Sequence, residues 1–121
     1  MANAKLSLDR LMEIDGAVGC CLVDSNSGMV LAQTGGGAAL NLEVAAAGNT
    51  EVVRAKRKTM KNLDLKDGIE DILITLSRQY HLIRLLKSNE ALFLYLVLDK
   101  SKANLAMARH VLAESEKDLA I

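Results

Sequence analysis

The side chains in this sequence that could do chemistry are few, and their spacing limits what they can do together. His81 and His110 are the two histidines, and they stand far apart in the chain. Neither falls in a CxxC or HExxH spacing, so no metal site is expected. Cys20 and Cys21 are adjacent inside an apolar run. Neighbours on a strand point to opposite faces, which argues against a disulfide between them, and a cysteine in such a run behaves as a small inert hydrophobe. Glu70 and Asp71 are neighbours at the start of another extended run, so they too point apart and make a poor acid–base pair. Gly35-Gly36-Gly37 invites a phosphate-loop reading. A phosphate cradle needs GxxxxGK followed by Ser or Thr, and neither that lysine nor that hydroxyl follows. The glycines are read instead as a flexible crossover into the next helix. There is no GxSxG elbow and no acidic run with calcium-loop spacing. Catalysis by this chain alone is not expected, and nothing calls for a cofactor or a metal.

Composition narrows the classes further. Fifteen basic and fifteen acidic residues balance, so no strongly polyanionic partner is implied. The aromatics are Tyr80, Phe93 and Tyr95, too few for a platform on which bases stack, and no nucleic-acid partner is expected. Proline is absent, which leaves no rigid linker. No apolar run reaches the ~18–20 residues that span a bilayer, so no transmembrane segment is predicted. The first residues mix acidic and basic positions and do not read as a signal peptide. The expectation is one cytoplasmic domain over residues 1–121.

The elements are organised around Leu92–Asp99, LFLYLVLD, which holds seven consecutive apolar residues. Alternate side chains of a strand face opposite ways, so this one needs cover on both sides and belongs at the centre of a sheet. Leu6, Leu8, Leu11 and Met12 form a short stripe that predicts a first helix over 6–13, ended by Asp15-Gly16. The apolar strand 17–23 follows, and the turn formers from Asp24 to Gly28 return it as strand 29–34 of a β-hairpin. Asn41 is placed to cap a long helix ending near residue 62. Residues 69–77 alternate, with Ile72, Ile74 and Leu76 on one face, and suit an edge strand with one buried face. Arg78-Gln79 turns into strand 80–87, and Ser88–Glu90 turns into the central strand. Asp99 or Ser101 is the expected cap of a last helix over 102–119, with a stripe at Leu105, Ala108, Val111 or Leu112, Ser115 and Leu119. The prediction is a three-layer α/β/α domain with one five-stranded antiparallel sheet.

The long helix carries two ambiguous features. Ala45, Ala46, Ala47 and Gly48 are small enough for close packing, either on the sheet or on a second copy of the same helix. A glycine there costs ~1 kcal/mol relative to alanine. Arg54, Arg57, Lys58 and Lys61 near its end suit the negative pole of the helix. They are either a solvated end or a docking patch for an acidic partner or membrane surface.

The order of elements, with the hairpin AVGCCLVDSNSGMVLA and the stretch EDILITLSRQYHLIRLLKSNEALFLYLVLDKSKANLAMARHVL, resembles the roadblock/dynein light chain family. The more specific features are the YHLIRLL strand, the apolar strand ending in Leu98-Asp99, and Ala103–Ala106 opening the last helix. The resemblance covers about residues 6–112; the triple glycine and the basic helix end match no pattern in it. It implies a roadblock/profilin-like fold and a homodimer, in which strand 69–77 pairs with its copy and the long helices lie side by side. That places Ala45, Gly48, Val52, Ile72, Ile74 and Leu76 at the dimer interface. An unpaired edge ladder is an aggregation hazard, which two-fold pairing removes. The resemblance further implies a regulator or scaffold of small Ras-like GTPases, akin to the bacterial gliding-motility regulator. Such a protein needs no catalytic side chain if it remodels the partner's own switch segments. The leading expectation is a cytoplasmic homodimeric adaptor for a GTPase; the alternatives are a small-molecule sensing module and a scaffold for other proteins.

Overall fold

Seven apolar side chains in a row can all be buried only inside a sheet covered on both faces, and Leu92–Asp99 lies third of five strands. The computed structural model describes residues 3–120. Helix α1 (Ala4–Met12) leads into the hairpin of β1 (Ala17–Asp24) and β2 (Met29–Gly35), then the long α2 (Leu42–Asn62). The meander β3 (Asp71–Thr75), β4 (Gln79–Leu85) and β5 (Leu92–Asp99) follows, and α3 (Leu105–Asp118) closes the chain. The strand order is β2-β1-β5-β4-β3, antiparallel throughout. This is the three-layer architecture that the patterning predicts.

The cross-strand register sorts the core into two layers. Leu73, Leu82, Leu96 and Cys20 stand opposite one another on one face, where Leu8 and Leu11 of α1 and Leu112 of α3 pack. Ile72, Ile83, Tyr95 and Cys21 form the corresponding row on the other face, under Leu42, Ala46 and Val53 of α2. Their spacing of four, then seven residues places those three on one helix stripe.

Helix cover is unequal. On the first face α1 packs on β1 and β2 while α3 packs on β4; on the second, α2 alone packs on β1 and β2. Five strands spaced ~4.8 Å apart span roughly 19 Å, and a helix is ~10 Å across. One helix therefore covers about half of its face. The less covered part lies over β3 and the start of β4, where Ile72, Ile74 and His81 are half-buried while Ile83 and Leu85 farther along β4 are buried.

Register also shifts within the hairpin, from Leu22↔Ala32 to Val23↔Val30. Leu31 is the extra residue of this bulge, and it lets Val30 pack on the α2 side and Ala32 on the α1 side. The triple glycine is a defined turn: Gly35, Gly36 and Gly37 all have positive φ, and Gly36 N–H donates to Val18 O at 2.9 Å. A side chain on Gly36 would meet the Leu40 carbonyl at 2.9 Å.

Each helix opens on an asparagine. The Asn3, Asn41 and Asn104 side chains accept from the N–H groups of Leu6, Val44 and Met107 at 2.9, 3.1 and 3.0 Å. The cap of α3 is thus neither Asp99 nor Ser101. Those two close a turn of their own, Ser101 N–H and Oγ–H donating to Asp99 Oδ1 at 3.0 and 2.8 Å. Two further expectations change. Strand β3 spans Asp71–Thr75 rather than 69–77, because Leu76 N–H already turns back to Gln79 O, and instead of one well-buried face it has two half-buried ones. Leu6, assigned to the stripe of α1, is exposed. Replacing an asparagine cap by alanine removes about 1 kcal/mol. Asn104→Ala should lower the unfolding free energy by that amount in urea titration, with an unchanged slope.

Candidate functional site

Strand β3 pairs with β4 on one side and, among the described residues, has no neighbouring strand on the other. Its sequence, DILIT, contains none of the lysines, prolines or bulges that blunt an exposed edge. The opposite edge, β2, is broken by its bulge. Beside the β3 edge lies the less covered part of the α2 face. Ile72 and Ile74 project onto it, and Leu76 is exposed just beyond the strand. The flank of α2 that looks across this trough carries Ala45, Asn49 and Val52, at i, i+4 and i+7. Its direction is shown by Asn49, which lies near enough to Tyr95 on β5 to influence its hydroxyl. Ala45 packs on the core margin, Val52 is partly exposed, and a Cβ built on Gly48 would meet nothing. Of the six interface residues expected from the sequence, Ile72 and Ile74 thus lie on the α2 side of the sheet, Ala45, Gly48 and Val52 on α2 itself, and Leu76 just past the edge strand.

Two polar arrangements support it. In the trough, Gln79 Oε1 accepts from His81 Nε2 at 2.9 Å. An amide oxygen only accepts, so Nε2 carries the proton and Nδ1 receives the Tyr95 hydroxyl at 2.8 Å. The two rings meet edge to face, 5.6 Å between centroids. Burial pushes the His81 pKa below its ordinary value and that of Tyr95 above. On the opposite face an ion network ties the edge strand to α3. Arg109 Nη2 reaches Asp71 Oδ1 at 2.9 Å, Arg84 Nη1 lies 3.7 Å from Asp71 Oδ2, and Arg84 Nε is 3.3 Å from Glu116 Oε1. Arg84, Asp71 and Glu116 are nearly enclosed while Arg109 is half exposed. Sequence reasoning missed this network. The available signal was a lone arginine at an inward position of the apolar YHLIRLL strand, which demands a buried carboxylate.

The basic helix end divides into two kinds of residue. Arg54 Nη2 donates to the carbonyls of Ser25 and Asn26 at 2.8 and 2.7 Å, and Arg57 Nη2 to that of Glu90 at 2.6 Å. These arginines clamp the β1–β2 and β4–β5 turns to α2. Lys58 and Lys61 are exposed and pair with no carboxylate among the described residues. Of the four expected docking residues, two are thus hydrogen-bonded to turns of the fold and two are not.

Helix α2 ends in a left-handed residue, Asp64 (φ 56°), and Leu65 N–H donates back to Met60 O at 3.0 Å. Met60 and Leu65 then line a cleft of about 610 Å³ with Ile69, Lys61, Lys87 and Glu70. Its rim mixes both charge signs, and Lys66 already pairs with Asp64 at 2.8 Å. That differs from the apolar, convergent lining of a small-molecule site. Both cysteines are buried, with thiols pushed up to about 12 by desolvation. No group of metal-ligating side chains and no helix long and apolar enough to cross a membrane occur among the described residues.

With the geometry in hand, comparison with solved structures identifies the architecture. A roadblock/LC7 domain from Streptomyces avermitilis superposes with a TM-score of 0.81, covering 96% of this chain and 93% of that one at 11% identity. The fold is the roadblock fold. Myxococcus xanthus MglB has the same fold, with a TM-score of 0.81, 17% identity, and coverage of 93% of this chain and 80% of its own. The gliding protein MglB from Thermus thermophilus gives 0.70 at 22% identity, covering 95% and 89%. Neither a family model nor a curated protein matches the sequence.

Removing Glu116 would leave the enclosed Arg84 guanidinium short of a partner, at a cost of about 3 kcal/mol. Glu116→Ala should lose that amount in urea unfolding, whereas Arg109→Ala, at the exposed end, should lose under ~1 kcal/mol. The raised thiols predict a second result. Iodoacetamide near pH 8 should leave Cys20 and Cys21 unmodified in the folded protein and alkylate both in denaturant, as read by mass spectrometry.

Proposed function

We propose that this chain, as a single roadblock-like domain over residues 1–121, is a homodimeric adaptor that binds a small Ras-like GTPase and regulates its nucleotide cycle. It acts in the cytoplasm of a bacterium and contributes no catalytic residue. The observation that carries the reading is the half-covered sheet face beside the unguarded β3 edge. A two-fold axis through β3 joins two sheets into one of ten strands. It brings the second copy's α2 over Ile72 and Ile74, so that Ala45, Gly48 and Val52 of the two helices face each other. Gly48 lets the backbones approach closely. Leu76 lies at the end of the shared seam.

The GTPase part of the reading rests on the family resemblance in the sequence and on the fold shared with proteins named MglB. The scarcity of catalytic constellations fits a protein that acts on its partner's geometry. Lys58 and Lys61 supply the exposed charge for docking an acidic surface, while Arg54 and Arg57 hold the helix and turns that present it.

Two experiments bear on the two halves. Ile74→Pro removes a ladder donor from the edge and should convert a dimer to monomer in sedimentation velocity. An unchanged, folded dimer would reject the β3 seam. Immobilised protein, incubated with lysate of the source cell and either GDP or a GTP analogue, should retain a Ras-like GTPase in one nucleotide state. Lys58→Glu with Lys61→Glu should reduce that retention at least several-fold with an unaltered Tm. Recovery of no GTPase in either state would reject the regulator reading.

A further inference from the structure

The Gln79–His81–Tyr95 chain lies in the trough that the adaptor reading closes with a second copy, and no role described above uses it. We propose that His81 is a proton-operated latch on dimerisation: the neutral ring permits closure of the seam, and its protonation opens it. This rests on the dimer reading above.

The geometry supplies the reasons. His81 stands directly opposite Ile74 of the edge strand and opposite Val97 of β5, so it is one strand away from the proposed seam. Both ring nitrogens are satisfied only in the neutral form. Nε2 donates to Gln79, and Nδ1 must keep its lone pair for the Tyr95 hydroxyl. A proton on Nδ1 would force Tyr95 to reverse its hydrogen bond beside Asn49 of α2. The surroundings offer the imidazolium little compensation. Strand β3 presents Ile74, β4 presents Gln79 and Ile83, and β1 presents Cys21 behind Tyr95. From α2 come Asn49 and, seven residues on along the same flank, the cation Lys56. A carboxylate that shares this face is Asp99, two register positions beyond Val97 and opposite Gln79, and it is partly exposed and engaged by Ser101. A second α2 closing over the trough would bring Ala45, Gly48 and Val52, apolar residues that desolvate the ring further.

The sign follows. The His81 pKa is already depressed by burial in the single chain, and closure depresses it more. The stability carried by the neutral ring is therefore fully present above the ordinary histidine value of ~6.5 and is lost as the pH falls through the depressed one. The dimer tightens above neutrality and loosens on mild acidification.

Sedimentation equilibrium at about pH 8 and about pH 5.5 tests this, with an expected weakening of the dimer by about tenfold or more at the lower pH for two rings per dimer. His81→Gln, which still accepts from Tyr95 but does not titrate, should be dimeric at both values. His110→Gln, on the exposed side of α3, should behave as wild type. A wild-type dimer of equal affinity at both values, or a His81→Gln variant that weakens just as much, overturns the latch and leaves the dimer standing. A wild-type monomer at pH 8 overturns both. Should His81→Gln not fold, the His81 ring proton is titrated by NMR in the wild type at high and low protein concentration. A lower pKa at high concentration supports the latch, and equal values overturn it.

Discussion

Everything in this structure follows from the need to cover both sides of a strand that carries no charged side chain from Leu92 to Leu98. Such a strand cannot lie at a margin or on a solvated sheet. It forces neighbours on both edges, β1 and β4, and helices above and below. The chain meets the second demand unevenly, with two helices on one face and one on the other. The open trough is the remainder of that unequal division. The surface best suited to association is thus a by-product of how the core is built.

Much of this was legible in the residues because it depends on local periodicity. The doubly apolar strand, the hairpin at Asp24–Gly28 and the Asn41 cap each need only a few neighbouring residues to be recognised. What escaped depends on contacts distant in sequence. Arg54 is bound to carbonyls some 28 residues away, and nothing in the run RAKRK distinguishes a clamp from a solvated charge. Asn104 rather than Ser101 caps α3 because the helix begins at Leu105, and Ser101 lies in a separate turn with Asp99, a boundary that spacing rules do not resolve. The width of bare sheet beside α2 was invisible for a different reason: it depends on where a helix lands across the strands, which periodicity does not specify. The expected interface residues were placed by resemblance, not by periodicity.

The charged residues divide between holding and presenting. Arg54 and Arg57 fasten the two turns at the far end of the sheet, and the Arg109–Asp71–Arg84–Glu116 network fastens the edge strand to α3. Asp71 is the first residue of β3, so the network fixes the strand whose outer side is unpaired. A ladder offered to a second chain must hold its register before it is met. In the proposed dimer, ion pairs on one face would thereby serve association at the margin of the other.

The bulge at Leu31 has a consequence for the size of any assembly. A sheet with two good edges is a monomer unit for an open fibre, since each added copy exposes a fresh template identical to the last. Here one margin is regular and the other is interrupted by a single extra residue. In the dimer proposed above, growth by strand pairing would have one usable terminus per molecule, and two molecules joined through it would cancel both. A one-residue irregularity in the hairpin would then work as a chain terminator, making that association self-limiting at two.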